Sequence, residues 1–287
     1  MDVNREYKST LFSFLFSDIE ELISLYNAFT GDDLPSDTPV EIATLTDILF
    51  SARRNDIAFV IEGKIVVLIE HQSTINENMP LRFLIYIARV YEKIIKNDAI
   101  YKKMLLKIPR PEFVVLYNGS APFPDEKILR LSDAFEKYPE ITGLGGSLEL
   151  EVRVVNINCG RNADILDKCE TLKGYAILIA KIRANTEAKM ELKAAVTKAL
   201  TECIDEGVLA NFLKAHASEV INMLTKEWKL EEAIVVEREE GREEGREEGR
   251  EEEKRQLIMK MKNEGFSEDV IARIVEVSLE EVRKTKP

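Results

Sequence analysis

Apolar and polar positions along the chain change period several times, and each change marks an element. After Asp18, residues Ile19, Leu22, Ile23, Leu25, Tyr26 and Phe29 recur at helical spacing as far as Gly31. Asp18 is suited to cap that helix at its start. Residues 32–39 are rich in turn formers and read as a loop. Three short strands are expected next, near residues 42–50, 56–61 and 64–71. A long amphipathic helix starts near Pro80, a good first-turn residue, with Leu81, Leu84, Ile85, Ala88, Tyr91 and Ile95 as its apolar stripe. The run Phe113-Val114-Val115-Leu116-Tyr117 reads as a strand closed by Asn118-Gly119, and a further strand is expected near residues 148–157. The order is helix, three strands, helix, strand. Residues 1–160 are thus expected to form one mixed α/β domain.

The remainder reads as helical. Residues 161–236 divide into helices near 164–184, 187–205, 208–214 and 216–230, with Leu224 and Trp228 as core positions. Residues 237–253 repeat Glu-Gly-Arg-Glu with a period of four. Its Arg and Glu stand at i,i+3 and i,i+4 spacings, while Gly241, Gly245 and Gly249 each cost roughly 0.8–1 kcal/mol relative to Ala in a helix. The segment is either a solvated charged spacer or a self-association stem that uses the glycine stripe for close approach. Residues 254–287 form a small helical tail. Ser267 and Ser278 serve as caps there, with Glu281 at the capping-box position. The tail is either a packing element or a helix-turn-helix.

Composition narrows the function classes. No run approaches the ~18 apolar residues of a membrane span. The start of the chain lacks the apolar core of a secretory signal, so the expected location is cytoplasmic, with no membrane partner. The spacings of Cys159, Cys169 and Cys203 fit neither a zinc knuckle nor a redox pair, which makes them reduced core thiols. With only His71 and His216 present, a multi-histidine site is excluded and a metal would have to be held mainly by oxygen, favouring magnesium, manganese or calcium. The net charge is −12, but residues 231–253 alone carry −8. Contact with nucleic acid would therefore need a local basic patch.

The segment from Asn55 to Gln72 carries the candidate chemistry. Taken as a hairpin with a three-residue loop Glu62-Gly63-Lys64, it pairs Ile61 with Ile65 and sets Asp56 opposite Glu70. Cross-strand partners have Cβ atoms ~4.5–5.5 Å apart. Glu70 and Gln72, two residues apart, would share a side, so Asp56, Glu70 and Gln72 would converge. Two close carboxylates repel, and a divalent cation resolves the repulsion while activating water against a phosphate. The plainer alternative is that Asp56 and Glu70 merely flank strand ends.

The strings Phe16-Ser17-Asp18, Leu25-Tyr26-Asn27-Ala28, Asn55-Asp56, Ile69-Glu70-His71-Gln72-Ser73, Asn78-Met79-Pro80-Leu81-Arg82, Tyr117-Asn118-Gly119 and Arg130-Leu131-Ser132-Asp133-Ala134-Phe135 resemble those of one family. It is the recombination-promoting nuclease (Rpn) / putative transposase family, within the PD-(D/E)XK nuclease superfamily. The Glu-Gly-Arg-Glu repeat and helical tail also match it. The resemblance implies a restriction-endonuclease-like mixed sheet flanked by helices. It also implies a Mg²⁺- or Mn²⁺-dependent endonuclease acting on DNA to promote recombination or transposon-like mobility. Asp56 and Glu70 would hold the metal. Gln72 stands where the superfamily usually has Lys; a neutral amide would orient water or complete the metal shell. Glu20 matches a further family acid, or is a solvated helix residue. Arg53, Arg54, Arg82 and Arg89 are the candidate phosphate-binding patch, and His71 is either a packed histidine beside the site or a ligand. The alternative function is a catalytically weak or inactive DNA-binding and assembly module on the same fold, with homo-oligomer formation through the repeat.

Overall fold

The computed structural model describes residues 10–43, 56–72, 74–95, 99–136 and 147–285. The chain divides into two compact units, Met1–Glu227 and Trp228–Pro287. The first is mixed α/β. It begins with α1 (Leu11–Leu15) and α2 (Ile19–Thr30), followed by strands β1 (Val40–Ala43), β2 (Asp56–Ile61) and β3 (Lys64–Gln72). Helix α3 (Met79–Ile94) leads to β4 (Arg110–Tyr117), β5 (Glu126–Arg130) and β6 (Glu151–Asn156). Then come α4 (Ala163–Leu166), α5 (Glu170–Glu187), α6 (Leu192–Asp205) and α7 (Ala210–Asn263).

Helix α2 is bounded as its sequence dictates. The Asp18 carboxylate accepts from the Glu20 amide, and Gly31 ends the helix in the left-handed conformation. The sheet order is β1-β2-β3-β4-β6-β5. The pairs β1/β2, β2/β3 and β5/β6 are antiparallel, while β3/β4 and β4/β6 are parallel. Strand β5 has no counterpart in the sequence reading, because only Leu129 among its five residues is buried.

The β2/β3 hairpin differs from the expected pairing by one residue. Its loop is the two-residue turn Glu62-Gly63, both with positive φ (43° and 79°), so Ile61 pairs with Lys64 and Asp56 with Ile69. A turn of this kind matches the right-handed twist of the strands it joins. Ala58 is buried in the core beneath α3, and Phe59, on the opposite face of β2, is buried as well. A bulge follows. Ile69 pairs with Val115 and Gln72 with Tyr117, so β3 spends three residues where β4 spends two. Strict alternation from Ile69 through Gln72, assumed in placing Glu70 and Gln72 on one side, is therefore broken.

Helix α3 packs on the sheet through Met79, Phe83, Tyr86, Ile87 and Val90, against Val115, Tyr117, Val152 and Val154. The stripe expected from sequence lies elsewhere on the helix: Leu81 and Ile85 are 45% and 43% exposed. Both stripes are apolar, but the one bearing Phe83 and Tyr86 removes more area from water. Full burial of a side chain such as Phe is worth roughly 1.5–3 kcal/mol.

Helix α1 is buried throughout; the Phe12 ring meets Tyr175 of α5, and the Phe14 ring meets Phe212 and His216. Non-helical dihedrals at His216 kink α7 where two helices were expected. Leu224 is buried and Trp228 half-buried. Cys169 and Cys203 are core thiols, whereas Cys159, expected with them, is exposed.

In the second unit, α8 (Glu268–Val275) and α9 (Leu279–Lys284) fold onto the end of α7. Ile258, Met261, Ile271, Val275 and Val282 form its core. Ser278 and Glu281 make the expected reciprocal capping box. Among the described residues, no helix is long and apolar enough to cross a membrane.

Candidate functional site

Strand β3 ends beside β4, and the chain turns there into α3. The Asn118 amide donates to the Gln72 carbonyl at 3.3 Å, extending the parallel pair by one bond. Residues 74–78 form a tight turn in which the Asn78 amide donates to Asn76 Oδ1 and the Met79 amide to the Asn76 carbonyl. The start of α3, with its positive dipole end, is thereby brought to the end of β3.

Gln72 is gripped at both ends of its amide. Its Oε1 accepts from the Asn76 amide at 3.4 Å, and its Nε2 donates to Met79 Sδ at 3.3 Å. Arg82, one turn along α3, donates through Nη1 to the same sulfur at 3.4 Å and through Nη2 to the Tyr86 hydroxyl at 2.9 Å. Its guanidinium lies 5.7 Å from the centroid of the Tyr86 ring. Met79 is fully buried and Tyr86 is 6% exposed, so both anchors are fixed. The structure thus brings two of the residues singled out from sequence, Gln72 and Arg82, onto one atom.

The others are placed as follows. Asp56 is the first residue of β2, paired with Ile69, and Glu70 lies on β3 between Ile69 and Gln72. The side chains of Asp56, Glu70 and His71 are outside the described residues, as are Arg53 and Arg54 altogether. Arg89 is half-buried on α3 and is engaged with a partner. Glu20 is exposed in the first turn of α2 and lines a shallow groove with Ser24, Glu170 and Asn211; neither Gln72 nor Arg82 borders it.

Sequence reasoning missed a second cluster at this strand end. Arg183 of α5 donates through Nη1 to Asn118 Oδ1 at 2.9 Å and Asn158 Oδ1 at 2.8 Å, and through Nη2 to the Asn118 carbonyl. Asn118 is 1% exposed, and its Nδ2 has no hydrogen-bond partner among the described residues. Asn118-Gly119 was visible as a strand terminator, but nothing local ties Arg183 to it. Tyr117 donates its hydroxyl to the Ala121 carbonyl, and burial pushes its pKa above the ordinary phenol value.

Among the described residues, no three His, Cys, Asp or Glu side chains form a metal-holding group. The donor set that Asp56, Glu70 and Gln72 would offer is two carboxylates and an amide oxygen. That set suits a hard cation such as Mg²⁺ or Mn²⁺. In Gln72 the nitrogen is turned to the Met79 sulfur, and the oxygen already accepts from the Asn76 amide.

A mixed α/β unit with polar residues gathered at a parallel strand end defines a broad class, which sequence comparison narrows. Residues 42–210 match the family described as "Putative transposase, YhgA-like". The chain belongs to that family, which is of the Rpn, PD-(D/E)XK type. No curated protein and no solved structure matches it.

Proposed function

We propose that this protein is a metal-dependent DNA endonuclease of restriction-endonuclease-like fold, hydrolysing phosphodiester bonds in the course of recombination or transposon-like mobility. The observation that carries this reading is the Gln72 amide, fixed between Asn76 and Met79 at the end of β3 beside the Arg82 guanidinium. Family membership and the order helix, three strands, helix, strand support it. A Mg²⁺ or Mn²⁺ ion held by Asp56 and Glu70 would supply Lewis acidity toward a phosphoryl oxygen and acidity to an attacking water. Gln72, being neutral, neither takes nor gives a proton; its oxygen orients water or completes the metal shell. Arg82 faces a DNA phosphate at the strand end, beside the positive end of α3.

The test is plasmid nicking by the full chain with Mg²⁺ titrated from zero. Wild type is expected to nick and Asp56→Ala and Glu70→Ala to lose it; undiminished nicking by both variants would eliminate the assignment. The acidic net charge and the neutral Gln72 favour a second reading, a DNA-binding or assembly module without turnover. Calorimetry separates the two, because a module of that kind has no need to bind Mg²⁺ through Asp56 and Glu70.

A further inference from the structure

We infer that Arg82 is a catalytic residue, the cation that acts on the scissile phosphate itself, and that Tyr86 is its positioning residue. This rests on the nuclease reading above. Hydrolysis forms a bond from water oxygen to phosphorus and breaks the bond from phosphorus to the departing sugar oxygen. One proton leaves the water for solvent and one returns to the departing oxygen. Negative charge gathers on the phosphoryl oxygens as this happens. Two acids and a neutral amide supply no positive charge, so the protein's own contribution must come from a neighbouring side chain.

Arg82 is that neighbour. Its Nη1 and the Gln72 Nε2 meet on one sulfur atom, so the two nitrogens stand no further apart than the sum of two hydrogen-bond lengths. The guanidinium is also oriented. Tyr86 fixes Nη2 by its hydroxyl and lies against the cation, and Tyr86 is itself held in the core under α3. Two of the five N–H donors are engaged with described residues, and the side chain is only half-buried, so others can meet a phosphate. A surface arginine that serves only to attract DNA needs no such fixation. Cationic stabilisation of a transition state does, because the donor must be in place when charge develops. Arg82 keeps its protons throughout and supplies charge and N–H groups alone.

Single-turnover cleavage and DNA affinity, measured separately on the full chain with a labelled duplex, test this. Affinity is read with Ca²⁺ in place of Mg²⁺. Arg82→Gln should lower the saturated cleavage rate on the order of 100-fold or more, as loss of one transition-state donor does. Its affinity should change by less than about fivefold. Tyr86→Phe, which keeps the ring and removes the acceptor, should slow cleavage several-fold and leave affinity unchanged. Arg82→Lys should recover only part of the rate, and it serves as the variant of record if Arg82→Gln fails to fold. The inference is overturned if Arg82→Gln keeps the saturated rate, whether or not it weakens binding and reduces the salt dependence by about one phosphate contact, or, where that variant does not fold, if Arg82→Lys keeps the full rate. That result leaves the nuclease reading intact. Nicking that survives in Asp56→Ala and Glu70→Ala removes both.

Discussion

Gln72 and Arg82 donate to the same atom, Met79 Sδ, at 3.3 and 3.4 Å. A thioether is a weak acceptor, so its value here is geometric: it fixes two polar groups from different elements by one buried side chain. Met79→Leu keeps the volume and removes the acceptor. Stability should fall by less than about 1.5 kcal/mol. On the proposed nuclease function, cleavage should fall about fivefold to tenfold, the worth of one modest hydrogen bond. Urea denaturation and the plasmid assay read the two effects separately, and an unchanged rate would mean the sulfur positions nothing.

Arg183 ties α5 to the ends of β4 and β6 through Asn118 and Asn158. Arg183→Met leaves two side-chain oxygens and a carbonyl without their charged donor, in a place where Asn118 is already buried. The expected loss is about 2–4 kcal/mol by denaturant titration. Arg183→Lys should recover less than half, since an ammonium does not reproduce the fork.

Gly174 lies where α5 meets Leu209. A Cβ there would stand 2.6 Å from Leu209 Cγ, and Leu209 itself has a positive φ of 50°. Alanine is favoured over glycine in a helix by about 0.8–1 kcal/mol, yet Gly174→Ala should destabilise by about 1–3 kcal/mol because the clash outweighs the propensity. Adding Leu209→Ala should relieve the clash, and a double-mutant cycle would measure the coupling. Additive effects would show that the two sites do not touch in solution.

Burial pushes the Cys203 thiol from an ordinary 9.0 up to about 11 and raises Cys169 as well. The fold therefore keeps protons that the unfolded chain releases from about pH 9 upward. The unfolded state then binds fewer protons, so stability should fall as pH rises between 9 and 11. Cys203→Ala should flatten part of that decline in thermal melts taken at several pH values. Native labelling with a thiol reagent at pH 8 should modify the exposed Cys159 first, and all three cysteines only after denaturation.

Glycines 241, 245 and 249 fall within the bounds of α7. Replacing all three by alanine should raise helicity by circular dichroism, each exchange favouring the helix by roughly 0.8–1 kcal/mol. Deleting residues 237–253 distinguishes spacer from stem. A stem predicts a smaller particle by light scattering, beyond the mass removed, and a spacer predicts only the mass removed.

What could be read in advance followed from local chemistry. Asp18 and Gly31 bound α2, Asn118-Gly119 closes β4, and Ser278 with Glu281 caps α9, because each feature is decided within a few residues. The hairpin register was not readable: Glu-Gly suits a two-residue or a three-residue loop, and the positive φ of both residues selects the two-residue turn that pairs Ile61 with Lys64. The buried face of α3 was misjudged because two apolar stripes compete, and only the sheet opposite selects the aromatic one. At the site, Gln72 and Arg82 were singled out individually. Their meeting on Met79, the support from Tyr86 and the reach of Arg183 to Asn118 are tertiary facts with no local sequence signature.

The extra residue that β3 carries between Ile69 and Gln72 separates two jobs along one strand. Ahead of it, pairing with β2 and β4 is regular and answers to the hydrophobic interior. Past it, the ladder resumes with a changed phase at Gln72, which need not obey the alternation that packing imposes on the strand before Ile69. Substitutions at residues 70–72 are thus separated from the register of the hairpin, which is set by the pairing from Asp56–Ile69 to Ile61–Lys64.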